Sequence, residues 1–298
     1  SKGDLERVLV QLASSILPSP MGSDRVGINY GLHLTGGEPF LNFELLVEGV
    51  EMAESLGIPS IFVETNAFWC SDDESVREKF IRLRKAGLDG VLVSVNPFIL
   101  EQVPFERTVR AIKVGREVFG VNVIVYQDFF HWQFKLLSIN GRLSFEEYLR
   151  KVGVESLEFV ELIPMGRAVY SLGHLFHKFP AEYFFKECCR DSLTRDWHVH
   201  IDNYCNYMAG YCGGISLGDA RRLDSIYGGI ELEEYPILEC LVTGLEKLYT
   251  LGVKEFGYNK CGEGYISKCH LCLDIRKHIA QKTKEFKELS PREFYFHL

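Results

Sequence analysis

The sequence lacks several features that would place it in a class at once. No apolar run approaches the roughly 20 residues that a membrane-spanning helix requires, and the charged first residues do not resemble a secretion signal. We therefore expect a cytoplasmic protein without a membrane partner. There is no run of lysine or arginine, and the net charge is −8. Because proteins bind a phosphate backbone mainly through cations, this charge argues against a nucleic-acid partner.

Common catalytic motifs are also missing. The chain has no nucleophile elbow, no Walker loop and no dinucleotide-binding glycine fingerprint. No cysteine precedes Cys70, although the sequence has nine cysteines. An odd number of cysteines in a long chain without a secretion signal argues against a disulfide framework. The later cysteines are therefore better explained as metal ligands.

Five short apolar runs recur at a nearly constant interval and predict buried strands. The runs are 31–35, 60–64, 90–94, 121–125 and 157–161. Helical patterns lie between them, and Ser71 with Glu74 predicts a capping box at one helix start. Strands that alternate with helices indicate parallel βαβ units. We predict an α/β fold, a partial (β/α)6-type parallel barrel that lacks its first strand; an open doubly wound sheet is the alternative.

The alternation stops near the middle of the chain, which predicts a second domain. We place a barrel domain at residues 1–175 and a small cysteine-rich extension at residues 176–298. Within the extension, the pattern predicts a helix at 180–193 and a hairpin that begins at 197. From residue 236 onward the pattern is largely helical.

The first predicted strand ends in a glycine-rich turn that can hold a ligand. Gly36 and Gly37 let a ligand approach the backbone closely, and Pro39 ends strand pairing. A carboxylate such as Glu38 can hold an ammonium group beside exposed backbone. An ordinary turn with an exposed glutamate is the alternative. Because chemistry lies at the carboxyl ends of parallel strands, the polar residues there are further candidates. They are Thr65, Asn66, Ser94, Asn96, Gln127 and Arg167.

The later cysteines predict a metal site. Cys269 and Cys272 form a CxxC pair, and Cys189 and Cys212 lie upstream. Four thiolates suit zinc or an iron–sulfur cluster. We predict these four residues as ligands of an auxiliary iron–sulfur cluster or zinc. The alternative is that they are buried cysteines that pack as small apolar residues.

These motifs together resemble the radical S-adenosylmethionine (radical SAM) enzymes. The matches are Gly36-Gly37-Glu38-Pro39, the Thr65-Asn66 strand ending, Ser94 with Asn96, and the Pro164-Met165-Gly166-Arg167-Ala168 stretch. The region 200–215 is similar to the hairpin of SPASM and twitch extensions, with Cys205 at the usual glycine position. The resemblance implies that the glycine turn binds the amino group of S-adenosylmethionine (AdoMet). It also implies that the later cysteines hold an auxiliary cluster.

One part of the family pattern is missing. Radical SAM enzymes bind a catalytic [4Fe–4S] cluster through a CxxxCxxC loop that precedes the glycine turn, and this sequence has no such loop. We expect that the chain is a fragment of a longer protein whose cluster loop is not included. The alternative is a degenerate member that binds AdoMet or a peptide without redox chemistry.

The resemblance implies a function for the complete protein. The reduced cluster would donate an electron to AdoMet, which yields methionine and a 5′-deoxyadenosyl radical that abstracts a substrate hydrogen. It further implies a peptide or protein substrate and an electron donor such as flavodoxin or ferredoxin. Two other possibilities stay open: the degenerate binding barrel, and an unrelated α/β-barrel enzyme with a structural zinc site made of four cysteines.

Overall fold

The computed structural model describes residues 1–160, 165–195, 197–210 and 212–298. The chain divides into two compact units, Ser1–Val160 and Glu161–Leu298. Among the described residues, no helix combines the length and the apolar character needed to cross a membrane. The functional boundary that we predicted at residue 175 stays a prediction.

The first unit alternates helices with strands. Its strands are β1 Leu32–Leu34, β2 Ile61–Thr65, β3 Gly90–Ser94 and β4 Val123–Tyr126. Its helices are α1 Lys2–Leu12, α2 Phe43–Ser55, α3 Asp73–Lys85, α4 Pro97–Gln102, α5 Phe105–Phe119, α6 Asp128–Leu136 and α7 Phe145–Val152. Short 3-10 helices lie at Pro39–Asn42 and Val154–Phe159.

The four strands form one sheet in chain order, and all of them are parallel. This arrangement confirms the α/β class. Four strands in one sheet do not establish the predicted partial barrel. β-Branched residues such as Val63 and Val91 pack on one face of the sheet against α2, α3 and α5. The opposite face carries His33, Phe62 and Glu64, because successive side chains of a strand alternate between faces.

The amino ends of the strands are covered by the loop that precedes β1. Ser60 receives a hydrogen bond from Ser19 N at 3.0 Å and donates one to Ser23 O at 3.1 Å. Asn122 donates a hydrogen bond to Asp24 O at 2.7 Å. These bonds fix the loop across one edge of the sheet. The carboxyl edge lies at the opposite ends of the strands.

The prediction of a fifth strand was wrong for its described part. Residues 157–159 belong to the 3-10 helix Val154–Phe159. A strand would place Leu157 and Phe159 on the same face, but Leu157 is 1% exposed and Phe159 is 52% exposed. Gly153, whose φ is +84°, turns the chain, and the Ser156 hydroxyl donates to its carbonyl oxygen at 2.9 Å. This local turn replaces the strand.

The start of α3 also differs from the prediction by one residue. Asp72, not Ser71, is the N-cap, and its Oδ1 accepts a hydrogen bond from Ser75 N at 2.8 Å. Asp is a strong N-cap because its side-chain oxygen satisfies a free N–H of the first turn. The helix therefore begins one residue later than the capping-box pattern indicated.

The second unit joins a small antiparallel sheet to a helical core. Its strands, β5 Val199–Ile201, β6 Asn206–Ala209 and β7 Gly218–Asp219, confirm the predicted hairpin. Its helices are α8 Ala168–Ser171, α9 Arg190–Leu193, α10 Asp224–Tyr227, α11 Pro236–Thr243, α12 Leu245–Phe256, α13 Lys268–Lys282 and α14 Arg292–Phe296. Further 3-10 helices lie at Gly173–Leu175, Ala181–Phe184, Ala220–Arg222 and Leu232–Glu234.

The single helix predicted at 180–193 is broken into two short helices. Ala181–Phe184 is a 3-10 helix, and α9 begins only at Arg190. Between them, Cys189 N donates a hydrogen bond to Leu241 O, at the end of α11, with a distance of 2.7 Å. This contact with α11 takes the backbone of Cys189 out of the helical pattern.

Candidate functional site

The carboxyl edge of the parallel sheet carries the glycine turn that the sequence singled out. Pro39 is the first residue of the 3-10 helix that follows the turn, and Glu38 is its N-cap. Gly36 has a φ of +97°, a conformation that favours glycine. Gly37 has no such φ, and a Cβ added at either glycine meets no atom within 4 Å. Neither packing nor backbone conformation therefore explains why residue 37 has no side chain.

The Glu38 carboxylate connects the glycine turn to the end of β2. Its Oε1 accepts hydrogen bonds from Phe40 N at 3.3 Å and from the Thr65 hydroxyl at 2.9 Å. Its Oε2 accepts one from Asn66 N at 2.8 Å. Burial raises the pKa of Glu38, and these three hydrogen bonds oppose the rise only in part. Glu38 is 9% exposed, so most of its capacity to accept hydrogen bonds is used within the protein.

Thr65 and Asn66 support this turn as well. The Thr65 oxygen accepts hydrogen bonds from Ala67 N and from the Trp69 indole, both at 3.0 Å, and the residue is 1% exposed. The Asn66 side-chain oxygen accepts one from Phe68 N at 2.9 Å. The predicted cofactor residues of this strand end therefore contact the surrounding backbone. Their hydrogen bonds stabilise the turn.

A second carboxylate, Glu64, lies on the sheet face opposite the helices. It accepts hydrogen bonds from the Thr35 hydroxyl at 2.8 Å and from the Ser94 hydroxyl. Nε2 of His33 lies 3.3 Å from Oε2 of Glu64, although the ring nitrogen has no well-aligned hydrogen bond in the described chain. Burial alone would raise the pKa of Glu64, but His33, Ser94 and Thr35 outweigh it and lower the pKa. Glu64 is therefore held as a carboxylate.

The cluster around Glu64 leads to a stability prediction. Glu64→Gln removes a charged acceptor from these contacts, so we expect a loss of about 1–3 kcal/mol in the free energy of unfolding near pH 7. The folded-state pKa is lowered, so the stability that the carboxylate contributes is present above its ordinary pKa of 4.5 and is lost as the pH falls through the folded value.

Urea unfolding of wild type and Glu64→Gln across pH 3–7 would check this prediction. The difference in stability should shrink below the ordinary glutamate pKa of 4.5. A difference that stayed constant down to pH 3 would show that the ionised form of Glu64 contributes nothing. Glu38→Gln is a contrasting variant, because the raised pKa of Glu38 means that its ionised form is less favoured in the folded state than in the unfolded state.

The remaining candidates of the edge have separate surroundings. Asn96 is the N-cap of α4, and its Oδ1 accepts a hydrogen bond from Ile99 N at 3.0 Å. Gln127 follows β4 with a φ of +62°, and its buried Oε1 has no hydrogen-bond partner among the described residues. Non-glycine residues in this conformation often mark functional sites. Arg167 is exposed and belongs to the second unit, at the start of α8. Pro164 lies outside the described residues.

The four predicted metal ligands interact with one another in the second unit. Cys189 and Cys272 are buried, whereas Cys212 and Cys269 are half-buried. Burial raises the pKa of Cys189, and the charges of Cys272, Cys212 and Cys269 contribute to the rise. Burial and the charges of Cys272 and Cys212 likewise raise the pKa of Cys269 to about 11. The four thiols are therefore electrostatic neighbours.

Their geometry does not yet amount to a metal site. In the described part of the chain, no group of three or more His, Cys, Asp or Glu side chains is placed so that it could hold a metal ion. The thiols would have to move closer together to become ligands of one metal. The donor set has the right chemistry, because four thiolates suit zinc or an iron–sulfur cluster.

A buried arginine beside these thiols was not predicted. Arg276 lies one helical turn after Cys272 on α13, is 5% exposed, and donates from Nε to Cys272 Sγ at 3.3 Å. Its Nη1 donates to Gly213 O at 3.1 Å and to the Tyr295 hydroxyl at 2.7 Å. The spacing of four residues on one helix was a signal in the sequence that could have revealed it.

Comparisons with known proteins do not assign the chain to a family. No family model and no curated protein matches the sequence. The functional interpretation therefore depends on the glycine turn at the sheet edge and on the cysteine cluster.

Proposed function

We propose that this chain is the body of a radical SAM enzyme. The first unit would bind AdoMet at the carboxyl edge of its sheet, and the second would hold an auxiliary iron–sulfur cluster or zinc through Cys189, Cys212, Cys269 and Cys272. The chain order of the four parallel strands, with the large helices on one face, supports the partial barrel that such an enzyme requires.

The main support for an AdoMet site is the absence of a side chain at residue 37. Apart from the two adjoining residues, no atom lies within 4 Å of a Cβ built at Gly37, so the space beside the turn is open. The Glu38 carboxylate fixes that turn to the end of β2 by accepting hydrogen bonds from the Thr65 hydroxyl and from Asn66 N. A ligand can therefore approach the backbone of a turn that is already fixed in position, which lowers the ordering cost of binding.

The bound groups would supply the chemistry, and the protein would supply position. When bound together, AdoMet and a reduced cluster would supply radical chemistry for abstracting a substrate hydrogen. The sequence has no CxxxCxxC loop, so the catalytic cluster belongs to the proposal only for a longer protein that contains such a loop. A peptide or protein substrate and a flavodoxin or ferredoxin donor are part of the proposal because the motifs resemble that family.

A titration of AdoMet into the full chain, followed by calorimetry, tests the AdoMet site. We expect saturable binding by the wild type and binding at least about tenfold weaker in Gly37→Val, because the valine side chain fills the space beside the turn. Thermal unfolding of Gly37→Val should match the wild type, since the added atoms meet no protein atom at the Cβ position.

Gly262→Val is the matched control for this titration. Gly262 also has no atom within 4 Å of an added Cβ and no positive φ, but it belongs to the second unit. The Gly262→Val variant should bind AdoMet with the same affinity as the wild type. Equal affinity in Gly37→Val and wild type, or no binding by the wild type, would contradict the proposed site.

A second candidate function follows from the cysteine cluster alone. Four thiols would equally suit a structural zinc site in an α/β enzyme of another class. Such a protein would bind zinc and no AdoMet. The calorimetric titration and a metal analysis of the same preparation therefore separate the two candidates.

A further inference from the structure

Arg276 has an unusual set of partners for a buried cation. Its guanidinium contacts a thiol sulfur, a backbone carbonyl and a tyrosine hydroxyl, which belong to Cys272, Gly213 and Tyr295. Among the described residues, no carboxylate lies within ion-pair distance of it. All of its identified partners are neutral unless a thiol or the tyrosine ionises.

Two lysines of the second unit do have carboxylate partners. Lys268 lies 3.6 Å from a Glu187 oxygen, and Lys178 pairs with Glu263. Those two lysines are also more exposed than Arg276, so water contributes to their solvation. A buried charge without a partner is costly, and proteins nearly always compensate it. The group that compensates Arg276 is therefore expected to lie at the cysteines beside it.

We propose that Arg276 is a positioning residue for an anionic metal–thiolate centre at the cysteine cluster. Its permanent positive charge offsets the negative charge of the thiolates, and Nε donates a hydrogen bond to the sulfur of Cys272. Its Nη1 bond to Gly213 holds the loop that follows Cys212 beside α13. This inference depends on the proposed metal site and adds the residue that favours an anionic centre there.

A purely structural role for Arg276 makes a different prediction. If Arg276 served only to connect Gly213 and Tyr295, any loss of these bonds would weaken the metal-free protein. If its charge instead balances that of metal-bound thiolates, the metal-free protein contains an uncompensated cation. Removal of that cation should then not lower the stability of the metal-free protein. The two roles therefore differ in the sign of the effect on the metal-free protein.

Anaerobic titration of the full chain with Zn²⁺ against a chelator, together with thermal unfolding without metal, tests the proposal. We expect Arg276→Gln to bind Zn²⁺ about 10–100-fold more weakly than the wild type, as changes to groups that support metal ligands typically do. The metal-free unfolding temperature of Arg276→Gln should equal or exceed that of the wild type. Arg276→Lys keeps the charge but not the geometry of the guanidinium, so its Zn²⁺ affinity should lie between those of the wild type and Arg276→Gln.

Arg292→Gln is the matched control. Arg292 is a half-buried arginine of the same unit that donates to the carbonyl oxygens of Thr283 and Ala280. Its replacement should lower the unfolding temperature and leave Zn²⁺ affinity unchanged.

The outcomes separate failure of the inference from failure of the metal site. If the wild type binds Zn²⁺ and Arg276→Gln binds it equally well, the inference about Arg276 is wrong and the metal site stands. The inference is also wrong if Arg276→Lys loses as much affinity as Arg276→Gln, or if metal-free Arg276→Gln unfolds at a lower temperature. If the wild type binds neither Zn²⁺ nor iron, the metal site and the inference fail together.

Discussion

Replacing Cys269 and Cys272 together with serine is expected to weaken metal binding by at least about 1,000-fold. Structural zinc sites bind with an apparent free energy of about 10–16 kcal/mol, so removal of half of the ligands should remove several kcal/mol. Both residues lie on α13, and their charges interact with those of Cys189 and Cys212. Serine keeps the size of the side chain but offers a hard oxygen in place of a soft thiolate.

Metal analysis and chelator competition on anaerobically purified protein would measure this loss. The adjacent pair Cys188 and Cys189 provides a matched control, because Cys188 is exposed and Cys189 is buried among the other thiols. Cys189→Ser should lose affinity, and Cys188→Ser should behave as the wild type. Equal binding by the wild type and the double variant would mean that the four cysteines are packed thiols.

The identity of the metal in the wild type then decides between the candidate functions. Iron with stoichiometric sulfide would support an auxiliary cluster, because four thiolates are the usual ligands of [4Fe–4S] centres. Zinc without iron or sulfide would favour the alternative of a structural zinc site. Comparison with a longer protein that contains a cluster loop should show one additional cluster if the radical SAM proposal is correct.

The second large effect is expected from Gly214→Ala. Gly214 has a φ of +75°, and a Cβ there would lie 2.4 Å from Cδ1 of Phe294 and 2.8 Å from Cζ of Tyr295. The conformation costs about 1–2 kcal/mol for a residue with a side chain, and overpacking against the rings adds about 1–3 kcal/mol. The Tyr295 hydroxyl also donates to the Gly214 carbonyl oxygen and accepts from Arg276. We therefore expect the second unit to lose about 2–5 kcal/mol of stability.

Gly229→Ala separates the two contributions in a urea unfolding experiment. Gly229 has a φ of +101°, but a Cβ there meets no atom within 4 Å. Its alanine variant should show only the conformational cost, about 1–2 kcal/mol. If Gly214→Ala were no more destabilising than Gly229→Ala, the rings of Phe294 and Tyr295 would have room to move away. Zn²⁺ affinity should fall in Gly214→Ala alone, because its loop follows Cys212 and is bonded to α13 through the hydrogen bond from Arg276 to Gly213 O.

Some helices and strands could be predicted from the sequence, and one predicted strand was wrong for a physical reason. The helix Phe43–Ser55 and the strands β2, β3 and β4 follow from local hydrophobic periodicity, which depends only on neighbouring residues. The segment 157–161 has the composition of a strand, but a positive φ at Gly153 and a hydroxyl contact at Ser156 produce a 3-10 helix that includes its residues 157–159. Periodicity does not contain that information, because the turn depends on backbone contacts.

In the candidate site, too, some residues could be predicted from the sequence and others could be identified only in the structure. Gly37 could be singled out from the sequence, since adjacent glycines after a strand indicate close approach to the backbone. The role of Glu38 was only partly predictable, because its bonds to Thr65 and Asn66 join segments far apart in the chain. Glu64 was not chosen as a site residue, although its contacts with Thr35 and Ser94 make it the centre of a polar cluster.

By itself, the sequence determined the α/β class, the antiparallel hairpin and the residue types available at each site, because these depend on local pattern and composition. Only the tertiary structure decided which side chains meet. It placed the Thr65 hydroxyl on Glu38 and the Arg276 guanidinium beside Cys272. Such contacts depend on how strands and helices pack, and each is worth more in a buried setting than at the surface, since water no longer competes for the hydrogen bonds.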